Sequence, residues 1–243
     1  MYKMLVSTFD ETLVDLDEAI PTSTMLKLEE LRKKGILFVV ATGKDVQIIL
    51  DYNKDFPFID YIVSLNGAYV FDVKNEEVIF EKFLSVRNVK KIKALFPDKK
   101  LLFGTLDGFY RDDVILYECK DDIYKIEVHC KTKREVLAVM RALKNSGLSV
   151  TYNERFRCGC FFVEIVSSKI NKSMAVQKVM RKNKITKDEV LAIGVDSNDV
   201  QLLENAGFGV AMDNACTEIR KISDYITSTN RDKGVEKVIK NYF

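Results

Sequence analysis

Val190-Leu191-Ala192-Ile193-Gly194-Val195-Asp196-Ser197-Asn198-Asp199 is the stretch on which the fold turns. An apolar run without alternation enters a glycine, and a short acidic loop follows. Such a run reads as a parallel strand buried on both faces. In open parallel sheets ligands bind where these strands end. The loop is therefore a candidate site segment, and the other strands should end in the same style.

They do. Met4-Leu5-Val6 leads into Ser7-Thr8-Phe9-Asp10-Glu11-Thr12-Leu13, the run Ile36–Ala41 into Thr42-Gly43-Lys44, and Tyr61-Ile62-Val63-Ser64-Leu65 into Asn66-Gly67-Ala68. Alone each is weak, since Asp-x-Thr is usually a turn or helix cap and Asn-Gly between apolar runs is a hairpin turn. Four in order along one sheet form a much stronger signal. Pro21-Thr22-Ser23 opens an amphipathic helix with Met25, Leu28 and Leu31 inward and Gly35 as its stop. Later come a helix from Lys172 to about Asn183, a short helix through Leu202-Leu203 and the strand Phe208–Met212. A further helix leads to the strand Tyr225-Ile226-Thr227. Alternating β and α elements predict an α/β fold with a doubly wound parallel sheet.

Between residues 84 and 168 the style changes. Helices over Val89–Leu95 and Arg134–Lys144 are interspersed with strands near Lys100–Phe103, Tyr124–Cys130, Ser149–Tyr152 and Phe161–Val166. This predicts an inserted α+β unit, with a core domain of 1–83 and 169–243 and the insert at 84–168.

A formal charge of +2 argues against a nucleic-acid footprint or a polybasic membrane patch. No window is long enough to span a membrane, and Met4-Leu5-Val6 is too brief for a signal-peptide core. Five scattered cysteines suit a reducing cytoplasm. Cys158-Gly159-Cys160 lacks the second Cys/His pair of a metal site and reads as strand alternation. His129, the one histidine, lies in an alternating strand and reads as structural.

The strand-end segments resemble the haloacid-dehalogenase (HAD) superfamily of phosphohydrolases across essentially the whole chain. Within it they resemble the Cof-type, sugar-phosphatase-like branch with a type-IIB cap. The family's Asp-x-Asp-Gly-Thr-Leu stands here as Thr8-Phe9-Asp10-Glu11-Thr12-Leu13, and its Ala-Thr-Gly-Arg as Ala41-Thr42-Gly43-Lys44. Its Asn-Gly-Ala is Asn66-Gly67-Ala68, its lysine after the cap corresponds to Lys172, and its Ala-Ile-Gly-Asp-x-x-Asn-Asp is Ala192–Asp199. Downstream, Ala206–Ala215 matches Ala-Gly-x-x-Val-Ala-Met-x-Asn-Ala. The resemblance implies Asp10 as general acid/base and a small phosphorylated molecule or phosphate as ligand. Thr42, Gly43, Asn66, Lys172 and Asn198 would contact that ligand. It also implies Mg²⁺ with Asp199 in reach and a cap formed by the inserted unit; Asp196, one residue past the family's ligand position, would join the metal site through a local bulge.

Two family acids are replaced. Thr8 stands at the nucleophile, which also ligates Mg²⁺, and Val195 stands at another Mg²⁺ ligand. A carboxylate attacks phosphorus without a base, whereas a threonine hydroxyl needs one. The phosphate monoester it would form is among the slowest species to hydrolyse. Mg²⁺ wants oxygen ligands, usually one or two carboxylates, so its affinity should fall. The expected protein is a phospholigand-binding pseudophosphatase; the alternative is an active Mg²⁺-dependent phosphatase using a rearranged site of Asp10, Asp196 and Asp199. Introducing Thr8→Asp together with Val195→Asp should create Mg²⁺-dependent hydrolysis of an aryl phosphate. A folded double variant no more active than its parent would contradict this.

Overall fold

The computed structural model describes residues 1–14, 19–54, 57–111, 122–155 and 159–243. In chain order the strands are β1 (Met4–Thr8), β2 (Leu37–Ala41), β3 (Tyr61–Ser64), β4 (Tyr69–Asp72), β5 (Glu77–Glu81), β6 (Leu101–Gly104) and β7 (Phe109–Arg111). They continue as β8 (Lys125–Cys130), β9 (Ser149–Arg155), β10 (Cys160–Val166), β11 (Val190–Gly194), β12 (Phe208–Ala211) and β13 (Tyr225–Ile226). The helices are α1 (Thr22–Lys33), α2 (Val46–Lys54), α3 (Val86–Leu95), α4 (Lys133–Leu143), α5 (Lys172–Lys182), α6 (Val200–Glu204), α7 (Thr217–Ile222) and α8 (Gly234–Tyr242).

One sheet runs β13-β12-β11-β1-β2-β3-β4-β5, parallel from β13 to β3, with β4 and β5 added antiparallel at one edge. Its inner strands are apolar throughout because both faces are covered. Leu5, Phe38, Val40, Ile62 and Leu191 pack with Leu28 and Leu31 of α1, Ile49 of α2 and Val238 of α8. Met4, Val6, Val39, Val63 and Ala192 face the opposite way, onto Val176 and Val179 of α5, Leu203 of α6 and Ile219 of α7. Successive residues thus serve different cores, and the alternation a one-sided strand would show disappears.

Two helices go unannounced by the sequence pattern. Helix α2 carries β2 over to β3; it is nine residues long and begins with β-branched Val46, Ile48 and Ile49, which weaken its helical signal. Asp45 starts it, its Oδ1 accepting the Ile48 N–H at 3.1 Å. Helix α8 returns the chain to the face of α1. Among the described residues no helix is long and apolar enough to cross a membrane.

The second sheet runs β7-β6-β8-β10-β9, antiparallel throughout. One face is apolar: Leu101, Phe103, Ile126, Val128, Val163 and Ile165 pack with Ile92 of α3 and with Val136 and Val139 of α4. Alternate positions carry Lys125, Glu127, His129, Phe162 and Glu164, and Glu127 lies directly opposite Glu164. The His129 ring meets Phe162 edge-on at 5.3 Å, a packing role as expected. Cys160 is disulfide-bonded, while Cys130 and Cys216 are free thiols. Cys158 lies outside the described residues.

Asn66-Gly67 does turn β3 into β4, within the four-residue connection 65–68 that follows the Ser64–Tyr69 pair. Leu65 and Asn66 are both left-handed, with φ of 49° and 56°. Gly67 has φ of +92°, and a Cβ there would lie 2.3 Å from the Asn171 carbonyl oxygen. Gly67→Ala should therefore lower unfolding stability by about 2–4 kcal/mol in denaturant titration. Unchanged stability would show that α5 is not held this closely to the turn.

Candidate active site

At the tip of β1 the chain enters a π-type turn, Phe9–Leu13, in which Asp10 is extended and Glu11 left-handed at φ 55°. Thr8 is buried, and its hydroxyl lies 2.7 Å from the hydroxyl of Thr12. Asp10 is half exposed and pairs with Lys44 Nζ at 3.2 Å. Thr42, at the tip of β2, is buried and its Oγ1 accepts the Lys44 N–H at 3.1 Å, so this hydroxyl caps the 42–44 turn. Its carbonyl accepts the Asn66 N–H at 3.0 Å, tying the second strand end to the third.

Lys172, the first residue of α5, is buried rather than solvated. Its Nζ donates to Asp199 Oδ1 at 2.6 Å and to Asn198 Oδ1 at 3.0 Å. The other Asp199 oxygen accepts the N–H groups of Val195 (3.0 Å) and Asp196 (3.1 Å), folding the loop after β11 back on itself. Val195 is buried in one of the core's apolar clusters. Burial, reinforced by the charge of Asp199, pushes Asp196 up to about 8.

The inserted sheet supplies the rest. Glu164 accepts from Asn66 Nδ2 (2.9 Å) and Asn198 Nδ2 (2.8 Å) at Oε2, and from Lys125 Nζ (2.5 Å) and Asn153 Nδ2 (3.1 Å) at Oε1. Lys125 also pairs with Glu127 at 2.9 Å and donates to the Gly43 carbonyl at 3.1 Å. Ser197 Oγ donates to the Tyr152 carbonyl at 3.0 Å. Lys125, Glu127 and Glu164 are each 1% exposed, so a charged layer is sealed between the sheets. Burial alone would raise the carboxyl of Glu164, but the Lys125 charge and the hydrogen bonds hold it below the usual carboxylate range. The two glutamates likewise hold Lys125 above its ordinary value against the opposing effect of burial.

Thr42, Gly43, Asn66, Lys172, Asn198 and Asp199 thus meet in one hydrogen-bonded group, with Asp10 linked at its mouth through Lys44. Sequence reasoning missed Lys125, Glu127, Asn153 and Glu164. The usable signal was Glu164, the one charge inside the apolar strand Cys160–Val166. Among the described residues, no three His, Cys, Asp or Glu side chains are grouped so as to hold a metal ion.

With fold and site in place, comparison with known proteins assigns the class. The haloacid dehalogenase-like hydrolase family matches residues 5–119 and 110–239. The chain belongs to that family. It is 26% identical over 246 residues to the 5-amino-6-(5-phospho-D-ribitylamino)uracil phosphatase YcsE of Bacillus subtilis, covering 99% of this chain and 95% of that one. It is 25% identical over 241 residues to phosphoglycolate phosphatase 1 of Saccharolobus solfataricus, covering 98% and 95%. Among solved structures, a Bacillus subtilis haloacid dehalogenase-like hydrolase aligns with a TM-score of 0.88 at 20% identity, over 99% of this chain and 100% of that one. A HAD subclass IIB sugar phosphatase aligns with a TM-score of 0.83 at 24% identity, over 99% and 98%. The shared fold includes both sheets.

Two expectations follow from the geometry. Lys172→Ala leaves the buried Asp199 carboxylate without its cation and should cost about 3–5 kcal/mol of unfolding stability; a loss near zero would mean that Asp199 is solvated. Asp196 is held above the ordinary aspartate value of about 4, so the folded chain keeps a proton that the unfolded chain has lost. Stability should fall as pH rises from about 4 to about 8 on this account. Comparing melts of parent and Asp196→Asn across that range checks it: the variant should lose this component, and identical pH slopes would contradict it.

Proposed function

We propose that this HAD-family chain binds a small phosphorylated molecule at the rim formed by Thr42, Gly43, Asn66, Lys172 and Asn198, and that it does not hydrolyse it by the family's route. In this reading residues 84–168 act as the cap and the remainder as the core. The observation that carries it is the pair of hydroxyls at the nucleophile position: Thr8 faces Thr12 at 2.7 Å. Neither hydroxyl is an ionised nucleophile near neutral pH, and two hydroxyls sharing a hydrogen bond do not supply a base.

The remaining acids do not suit Mg²⁺. Asp199 already serves Lys172 and two backbone N–H groups. Burial and the charge of Asp199 disfavour the ionised form of Asp196, and Asp10 lies against Lys44. A hard dication prefers ionised carboxylates with free lone pairs, and Val195 supplies none. The same facts weigh against a rearranged Mg²⁺-dependent phosphatase built on Asp10, Asp196 and Asp199, and no step is assigned to a metal.

The phosphatase names of the relatives support the ligand class. Binding would come from Lys172, the amide groups of Asn66 and Asn198, and backbone N–H groups at the strand tips. Calorimetric titration with inorganic phosphate, with and without Mg²⁺, tests this. Binding should appear without the metal and be little changed by it; binding that requires Mg²⁺ would overturn the reading.

A further inference from the structure

The amide donors at the rim are already occupied. Asn66 Nδ2 and Asn198 Nδ2, which come from two different core loops, both donate to one oxygen of Glu164. Lys125 and Asn153 donate to its other oxygen. Four donors converging on one desolvated carboxylate are the arrangement that a bound anion would receive. Here the anion belongs to the chain itself and is carried on the inserted sheet.

We infer that Glu164 is an internal competitor for the anion site: its carboxylate holds the cap shut through Asn66 and Asn198, and a phosphate group enters only by displacing it. The residue therefore sets the affinity of the site. This rests on the anion-binding reading above and adds to it a residue from the cap.

Two further observations point the same way. Asn66 is 5% exposed, and its Oδ1 has no hydrogen-bond partner among the described residues. A buried amide satisfied on its donor side only is a group that the cap completes imperfectly and that a ligand hydroxyl could complete. Gly43, moreover, is where the latch meets the core. A Cβ built there would lie 2.8 Å from Lys125 Nζ, 3.0 Å from Asn66 Oδ1 and 3.2 Å from Glu164 Oε1. The bare backbone at this position admits the cap's charged groups, so the closed state depends on a core residue as well as on Glu164.

Glu164→Gln keeps the side-chain volume and leaves Lys125 paired with Glu127, so no buried cation is orphaned. It removes the charge that strengthens the bonds from Asn66 and Asn198. Gly43→Ala retains every charge and disturbs the latch by contact instead, which keeps the proposal testable should the first variant fold poorly. Hydrogen–deuterium exchange on the ligand-free proteins should be faster in both variants than in the parent, over residues 42–44, 149–154 and 196–199. Glu164→Gln should also bind inorganic phosphate more tightly, by about 10-fold or more, since charge-assisted bonds no longer have to be broken.

The sign of that change is the discriminating result, because a merely structural glutamate would weaken binding when altered. Measurable phosphate affinity equal to or below that of the parent overturns the inference, whatever the exchange rates do. If phosphate binds neither protein, the anion-binding reading fails and the inference is overturned with it, whereas equal or weaker binding by the variant overturns the inference alone.

Discussion

The placement of one sheet on the other depends on a buried carboxylate. Removing Glu164 from water costs several kcal/mol unless donors replace the solvent. Its four donors come from β8, β9 and two core loops, so they are satisfied together only when the polar face of the inserted sheet lies on the rim of the core. The apolar face cannot do this work, because α3 and α4 already cover it. Charge neutralisation by Lys125 and the backbone contacts at Gly43 and Ser197 follow from that placement.

The same economy governs the core loops. Asp199 cannot be buried without a cation, and Lys172 at the start of α5 supplies one. The consequence reaches the chemistry. A lysine and an aspartate that neutralise each other hold the loop after β11 in shape, while Thr8 and Val195 stand where the family resemblance implies acids. In the proposed reading scaffold and reaction are separable: the strand tips still converge, but on a carboxylate of the inserted sheet.

Much of this was legible in the sequence. Strands β1, β2, β3 and β11 were recognisable because burial on two faces makes a continuous apolar run, and the polar segments after them marked the rim. Helices α2 and α8 were not, the former because its β-branched start resembles a strand. The polar face of the inserted sheet was hidden for a different reason. Alternating Lys125, Glu127 and His129 looks like a strand with one face in water, and only the core rim packed over Lys125 and Glu127 shows that this part of the face is sealed. Thr42 illustrates the remaining ambiguity: its hydroxyl caps a turn, the ordinary use of Thr-Gly, while its carbonyl bonds to Asn66 and joins two strand ends.

Steady-state hydrolysis of a generic aryl phosphate by the unmodified protein with Mg²⁺ present tests the proposed loss of turnover. With a hydroxyl pair at the nucleophile position and Asp199 committed to Lys172, turnover should not rise above the uncatalysed background. Turnover at ordinary enzymatic rates, on the order of 1–10³ s⁻¹, would contradict it.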